Sequence, residues 1–123
     1  METKKIQELV IEGVTYVPRE SQSPSPKLDG LDYVIVRTYS AGVFAGYLKQ
    51  RAGREVELTQ ARRLWYWEGA NSLSDLASIG TTKPDKCKFS RPIDVVLTEA
   101  IEIISVTNLG FVSITGVALW TQK

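Results

Sequence analysis

The alternation of side chains between residues 32 and 67 constrains the fold more than any other feature of the sequence. Residues 33–39 carry large apolar side chains on both faces of an extended strand, which predicts a central strand of a sheet. Turn sequences with glycine follow at 40–42 and at 51–54. Because glycine tolerates the positive φ of tight hairpins, we expect further antiparallel strands at 43–48, 55–60 and 62–67.

The rest of the chain predicts one helix and more strands. Ser72, with Asp75 three residues later, is typical of a capped helix start, and Gly80 is a suitable end. A basic loop over 81–92 follows, with Phe89 as its apolar anchor. Alternating apolar residues predict strands within 93–107 and, after a turn at 108–110, a last strand over 111–117.

Three regions divide the chain. Residues 1–19 predict an N-terminal hairpin, with a short helix over 4–11 as the alternative, because the apolar residues there fit either period. Residues 20–30 contain two Ser-Pro steps and read as an exposed linker. Residues 31–123 form the main β domain. The predicted fold class is mainly β (α+β): a small antiparallel sheet or barrel-like domain with one short helix and the N-terminal hairpin.

Composition restricts the chemistry. Lysine and arginine number 15 against 14 acidic residues, so the net charge of +1 provides no global field for nucleic acid or anionic lipid. Histidine is absent, which removes the usual general base and the commonest metal ligand. We therefore expect no enzyme activity, no cofactor and no metal. The single Cys87 fits a reducing compartment, and no apolar run is long enough to span a membrane.

The aromatic and basic residues at 62–67 are the first candidate for a binding site. Indole rings stack on flat ligands such as bases, and guanidinium groups donate bidentate hydrogen bonds to phosphate oxygens. The alternative is that the tryptophans are core or interface anchors and that the arginines are solvated.

Two further segments offer weaker candidates. The turn at 37–42 presents backbone N–H groups that can cradle a phosphate, although an ordinary hairpin turn has the same residues. Lysines of the 81–92 loop would complete an anion pocket if the loop folds over the tryptophans; otherwise they are solvated. The candidate ligand-binding residues are Arg37, Tyr39, Ser40, Ala41, Gly42, Arg62, Arg63, Trp65, Trp67, Lys86 and Lys88.

Three segments carry a resemblance to a known family. YVIVRTYSAGVFAGYL at 33–48, ARRLWYWEGANSLSDLA at 61–77 and KPDKCKF…VLTEAIEII within 83–104 resemble a short protein family of tailed bacteriophages and prophages, itself of unknown function. The resemblance implies a viral origin, a non-enzymatic role and a location in the cytoplasm of the bacterial host. Small phage proteins often act against host immunity, and one class sequesters nucleotide signals.

The first functional hypothesis is therefore a phage sponge that binds a small nucleotide immune signal, of cyclic nucleotide or ADP-ribose type, without turnover. A deep pocket in so small a domain is expected between subunits, which predicts a homo-oligomer. The alternatives are a protein-binding inhibitor or adaptor of a host defence enzyme, and a single-stranded nucleic-acid binder. The near-neutral charge disfavours nucleic acid as a partner, and no membrane partner is expected.

Overall fold

The computed structural model describes residues 9–11, 14–16 and 23–121, and strands dominate them. Two short α-helices and one turn of 3-10 helix, Pro84–Lys86, complete the secondary structure of these residues. The α-helices are α1 (Leu73–Ile79) and α2 (Asn108–Gly116). The strands are β1 (Leu9–Ile11), β2 (Val14–Tyr16), β3 (Tyr33–Thr38), β4 (Val43–Ala52), β5 (Glu55–Tyr66), β6 (Lys88–Phe89), β7 (Ile93–Leu97) and β8 (Ala100–Ser105).

Six strands form one open antiparallel sheet in the order β6-β5-β4-β3-β8, with β7 also paired to β5. The prediction of a mainly β antiparallel domain is confirmed, whereas the described strands do not close into a barrel. β3 lies between β4 and β8, and its residues 33–36 are buried on both faces, as the sequence predicted for a central strand. Gly42 and Gly53 occupy the predicted turns with positive φ.

β5 corrects one prediction, because residues 55–66 form a single strand instead of two. The pairing register with β7 shifts between Leu58 and Ala61, and Gln60 has a φ of +52°. Asp94 stabilises this irregularity: its carboxylate accepts hydrogen bonds from the Thr59 hydroxyl at 2.7 Å and the Gln60 N–H at 3.3 Å. The strand thus continues through the bulge, pairing first with β7 and then with β6.

Each face of the sheet carries its own core cluster. One cluster contains Val34, Val36, Phe44, Val56, Leu58, Ala61, Leu97 and Ala100. The other lies under the two helices and contains Tyr33, Ile35, Ala45, Tyr47, Leu64, Leu76, Ala77, Cys87, Phe89, Val106, Ile114 and Val117. Phe89 is fully buried, so the predicted anchor of the basic loop is confirmed.

The predicted last strand over 111–117 is wrong, because residues 108–116 form α2. The predicted turn at 108–110 is the first turn of this helix, and the Thr107 hydroxyl caps it by accepting the Gly110 N–H at 3.1 Å. The β-branched residues favour a strand locally, but tertiary packing decides otherwise. Gly110 lies so close to α1 that a Cβ atom there would be 2.1 Å from the Ala77 carbonyl oxygen. The chain therefore has a second α-helix that the sequence did not predict.

The first helix and its ends follow the sequence prediction. The Ser72 side chain accepts the Asp75 N–H at 3.2 Å, and Gly80 ends α1 with a φ of +81°. A side chain at Gly80 would meet Ser113 of α2 at 2.3 Å, so this glycine serves close helix packing as well as the helix end.

The N-terminal segment fits the predicted hairpin where it is described. β1 pairs antiparallel with β2, which favours the hairpin over the helix that was the alternative for residues 4–11. Residues 1–8, 12–13, 17–22 and 122–123 lie outside the described residues, and the proposed domain limits stay predictions. The later part of the linker is mostly exposed, as predicted, but it contacts the start of α2: the Ser23 carbonyl accepts the Asn108 N–H at 2.7 Å, and Pro24 forms an isolated β-bridge with Thr107.

We predict that Gly110→Ala destabilises the protein, because the added methyl group would push α1 and α2 apart. Overpacking of this kind costs about 2 kcal/mol in the free energy of unfolding. Gly116→Ala is the matched control on the same helix, since nothing lies within 4 Å of its Cβ position. Urea unfolding of both variants would measure the difference. An equal effect of the two substitutions would show that the helices are not in close contact at Gly110.

Candidate functional site

The β3–β4 turn brings its predicted residues together but pairs them with carboxylates. The Arg37 guanidinium forms a salt bridge with Glu102 at 2.9 Å, and the Ser40 hydroxyl donates to Glu99 at 2.7 Å. Both glutamates come from the β8 region, so this end of the sheet is not a positively charged cradle. Tyr39 is 78% exposed and contributes a free aromatic side chain.

Inside the same turn, the backbone is held by a threonine. The Thr38 hydroxyl donates to the Gly42 carbonyl at 2.7 Å and accepts the Ala41 N–H at 2.9 Å. The Ala41 N–H, one of the groups that a phosphate cradle would use, is therefore already bonded. The turn reads as a stable hairpin connection.

Arg62 is buried, with a relative exposure of only 4%. Its guanidinium donates to five backbone carbonyls, one for each N–H group that arginine carries. The acceptors are the carbonyls of Phe89, Ser90, Ile114, Val117 and Ala118, at 2.7 to 3.4 Å. Arg62 therefore joins β5 to the loop after β6 and to the end of α2, and it does not take part in the predicted surface cluster with the tryptophans.

Electrostatics agree with this structural role. Burial lowers the pKa of the Arg62 guanidinium, while the neighbouring Tyr33 acts in the opposite direction. Burial likewise raises the pKa of the Tyr33 hydroxyl well above its ordinary value, so Tyr33 remains a neutral donor. The carbonyls at the C-terminus of α2 are also the favoured place for a cation, because the helix dipole is negative there.

Arg63 connects the turn to the aromatic cluster. Its Nη1 donates to the Ala41 carbonyl at 2.6 Å. The guanidinium carbon lies 4.4 Å from the centre of the Phe44 ring and 5.1 Å from that of Trp65. Both distances are within the range of cation–π attraction. Of the two arginines in the predicted cluster, Arg63 therefore lies beside the exposed Trp65, whereas Arg62 is buried.

Beyond Arg63, four side chains line what we call the aromatic–basic groove: Trp65, Tyr66, Lys88 and Trp120. The groove has a volume of about 390 Å³. The Lys88 Nζ lies 5.4 Å from the Trp120 ring centre and 5.8 Å from that of Tyr66. The groove therefore combines one ammonium group with three large aromatic surfaces.

Two features of the backbone build this groove. The register between β5 and β6 shifts between Leu64 and Tyr66, which lets both Trp65 and Tyr66 reach the surface although strand neighbours normally alternate. Trp120 is held beside β6 by its backbone N–H, which donates to the Phe89 carbonyl at 3.0 Å. Sequence reasoning missed Trp120, whose only sequence signal is its type, because the register of the tail is set by tertiary contacts.

Two other predicted residues, Trp67 and Lys86, do not line the groove. Trp67 is half-buried and packs on the core cluster under the helices, so the core-anchor alternative holds for this tryptophan. Lys86 is exposed in the 3-10 turn and does not line the groove. The Tyr66 hydroxyl donates to Glu68 at 2.7 Å, and this hydrogen bond is the main reason that the Tyr66 pKa is raised.

Metal and membrane sites are not indicated in the described part of the chain. Among residues 9–11, 14–16 and 23–121, no three acidic or cysteine side chains are grouped closely enough to hold a metal ion. In the same residues, no helix is long and apolar enough to cross a bilayer. Cys87 is buried and has no disulfide.

Comparison with known families places this geometry in context. A family model described as a domain of unknown function, DUF6948, matches residues 31–114. The chain belongs to the DUF6948 family. No curated protein and no solved structure matches it significantly. The prediction of a family of unknown function is confirmed, and the three segments on which it rested all lie within the match.

The DUF6948 match covers most of the groove but not all of it. β3 to β8 and most of α2 lie inside residues 31–114, together with Arg63, Trp65, Tyr66 and Lys88. Trp120 and the last two carbonyl acceptors of Arg62 lie beyond the match. The fourth wall of the groove is therefore contributed by a segment outside the DUF6948 domain.

We predict that Arg62→Lys lowers the free energy of unfolding by about 3 kcal/mol, because lysine has three donors and leaves carbonyls unsatisfied at about 1–3 kcal/mol each. Arg63→Lys is the matched control. Arg63 is half-buried, and its side chain donates one hydrogen bond within the described part of the chain; loss of that bond should cost less than about 1 kcal/mol. Chemical denaturation monitored by tryptophan fluorescence gives both values. Equal costs would contradict the structural role of Arg62.

Proposed function

We propose that this DUF6948 protein is a phage anti-defence protein that binds and sequesters a small nucleotide immune signal, of cyclic nucleotide or ADP-ribose type, without turnover. The observation that supports this best is the aromatic–basic groove, in which the Lys88 ammonium group lies within cation–π distance of the rings of both Tyr66 and Trp120. A flat anion needs aromatic faces and a nearby cation, and the groove offers both.

The contacts suggest how such a ligand would bind. A base would stack on Trp65 or Trp120, which are 59% and 38% exposed. Phosphate oxygens would accept hydrogen bonds from Lys88 and Arg63. The charged groups of both side chains now lie against aromatic rings and can reorient toward an anion. The groove volume of about 390 Å³ lies within the range of small-molecule sites, roughly 300–1,000 Å³.

Binding without chemistry fits the residues around the groove. The sequence contains no histidine, and the Glu68 carboxylate already accepts a hydrogen bond from the hydroxyl of the groove residue Tyr66. Lys88 is exposed and lies against aromatic rings, so in this proposal its side chain serves as a charge instead of a nucleophile. These features favour recognition over catalysis.

The biological part of the proposal rests on the resemblance of the chain to proteins of tailed phages and prophages. Small phage proteins that capture nucleotide signals act in the cytoplasm of the infected bacterium, where we place this protein. The analogy concerns the class of protein, since the site itself comes from the groove and not from a transferred motif.

An oligomer is part of the same proposal. Capture of a scarce signal requires nanomolar affinity, about −12 kcal/mol. One face of the groove is open to solvent, and its tryptophans remain partly exposed. A second copy placed over the groove would close it and desolvate both the rings and the ammonium group.

A second candidate is a protein-binding inhibitor or adaptor of a host defence enzyme. The helical layer presents exposed apolar side chains, among them Ile79 on α1 and Leu109 and Val112 on α2. Protein interfaces favour such apolar patches, as well as exposed tryptophan and tyrosine. This candidate uses the helices, whereas nucleotide binding uses the groove.

We predict that one member of a panel of cyclic dinucleotides, cyclic trinucleotides and cyclic ADP-ribose isomers binds with nanomolar affinity in isothermal titration calorimetry. Trp65→Ala should weaken binding about 10- to 100-fold, because one stacked base contributes roughly 1–3 kcal/mol. Lys88→Ala should also weaken it. Tyr39→Ala is the control, since Tyr39 is an exposed aromatic residue outside the groove.

The outcomes separate the two candidates. Absence of heat with every nucleotide at protein concentrations far above micromolar would reject the sponge and favour the protein-binding candidate. A shortened nucleotide in the mixture, detected by chromatography, would reject binding without turnover. Weakening by Tyr39→Ala alone would move the site to the β3–β4 turn.

We predict that the ligand-bound protein is a homo-oligomer in solution. If a second copy closes the groove, light scattering should give a mass that is a multiple of 13.7 kDa. Trp120→Glu should shift the mass toward the monomer, because it places an unpaired charge in the closed interface. Val112→Glu, on the exposed helical face, is the control. A monomeric mass in the presence of saturating ligand would contradict the closed groove.

A further inference from the structure

A second concave region lies on the helix side of the sheet, apart from the aromatic–basic groove. It has a volume of about 500 Å³ and is bordered by β3, β4, β5, α2 and the tail that follows α2. We call it the Arg62 cavity. Its principal lining residues are Tyr33, Tyr47, Gln60, Arg62, Phe111 and Thr115. None of them lines the aromatic–basic groove, so the cavity is a separate place on the molecule.

Three aromatic rings form one wall of the Arg62 cavity. Tyr33 packs edge-on against Tyr47 with ring centres 5.0 Å apart, and against Phe111 at 4.9 Å. Tyr47 and Phe111 are 6.3 Å apart. Tyr33 and Tyr47 are buried and Phe111 is half-buried, so the rings form a packed, preformed apolar wall whose most accessible ring is Phe111.

The charge of the cavity comes from Arg62. Its positive charge has only carbonyl dipoles as partners among the described residues, and no described residue that lines the cavity is acidic. Carbonyls satisfy the N–H groups but leave the net charge of +1 in place. In a weakly polar interior such a charge acts over several ångströms and favours an anion nearby.

Some of the hydrogen bonds made by Arg62 and Tyr33 in the cavity are long and therefore weak. The two hydrogen bonds from Arg62 Nη2, to Phe89 and Ala118, are the longest of the set at 3.3 and 3.4 Å. The Tyr33 hydroxyl donates to the Ala45 carbonyl at 3.4 Å, which is long for a hydroxyl donor. A ligand oxygen that approached these groups would replace weak hydrogen bonds with charge-assisted ones.

We propose that the Arg62 cavity binds a small planar aromatic monoanion, with the anionic group toward Arg62 and Tyr33 and the ring against Tyr47 and Phe111. The site is independent of nucleotide binding in the groove. A carboxylate suits it better than a nucleotide phosphate group, because the buried guanidinium supplies one charge and the lining residues supply no second cation.

Calorimetry with naphthalene-2-carboxylate and its neutral analogue naphthalene-2-carboxamide tests the proposal on the full chain. We expect the carboxylate to bind at submillimolar concentration and at least about tenfold more tightly than the amide, since both have the same ring and differ in charge. Equal affinity of the two compounds, or no binding of the carboxylate, would overturn the proposal.

Two variants locate the binding site without altering Arg62. Thr115→Trp places a bulky side chain at an exposed position on the cavity rim and should abolish carboxylate binding. Thr98→Trp, at an exposed position between β7 and β8, is the matched control and should leave binding unchanged. Thermal unfolding must show that both variants are folded. Carboxylate binding that survives in folded Thr115→Trp would overturn the assignment to this cavity.

A third variant distinguishes this site from the groove. Trp120→Ala should leave naphthalene-2-carboxylate binding unchanged, because Trp120 does not line the Arg62 cavity. Loss of carboxylate binding in this variant would place the anion in the groove and overturn the proposal. Nucleotide binding can fail while carboxylate binding succeeds, so the two proposals are tested separately.

Discussion

The guanidinium group of Arg62 holds together the parts of the structure on which both candidate sites depend. It extends from the middle of β5 and satisfies carbonyls after β6 and at the end of α2. Without a donor in this place, several buried carbonyls would have no partner, at a cost of about 1–3 kcal/mol each. The contact fixes the tail after α2, and the tail in turn places Trp120 at the groove and Leu119 at the Arg62 cavity.

β5 shows how an irregular strand can create a surface that a regular strand cannot. A regular strand sends neighbouring side chains to opposite faces, so one of Trp65 and Tyr66 would be buried. The register shift after Leu64 exposes both. The earlier bulge at Gln60 lets the same strand change partner from β7 to β6. The groove is therefore a product of two interruptions in the pairing of one strand.

Charge along the sheet is divided between its two sides. At the β8 side, the Glu99 carboxylate accepts a hydrogen bond from Ser40 of the β3–β4 turn, and Glu102 forms a salt bridge with Arg37. At the β6 side, the cations Arg63 and Lys88 lie against aromatic rings instead of carboxylates. A net charge near zero thus hides a local arrangement that composition cannot reveal, in which Arg63 and Lys88 face aromatic rings.

Sequence by itself determined the features that depend on neighbouring residues: the glycine turns at Gly42 and Gly53, the capped helix from Ser72, and a central strand with apolar side chains on both faces. Tertiary structure alone decided that residues 108–116 are a helix, because the fit of Gly110 against Ala77 outweighs the local preference for a strand. It also decided which arginine is buried. Arg62 and Arg63 are equivalent in the sequence, and they differ only because carbonyls from distant segments converge on one face of β5.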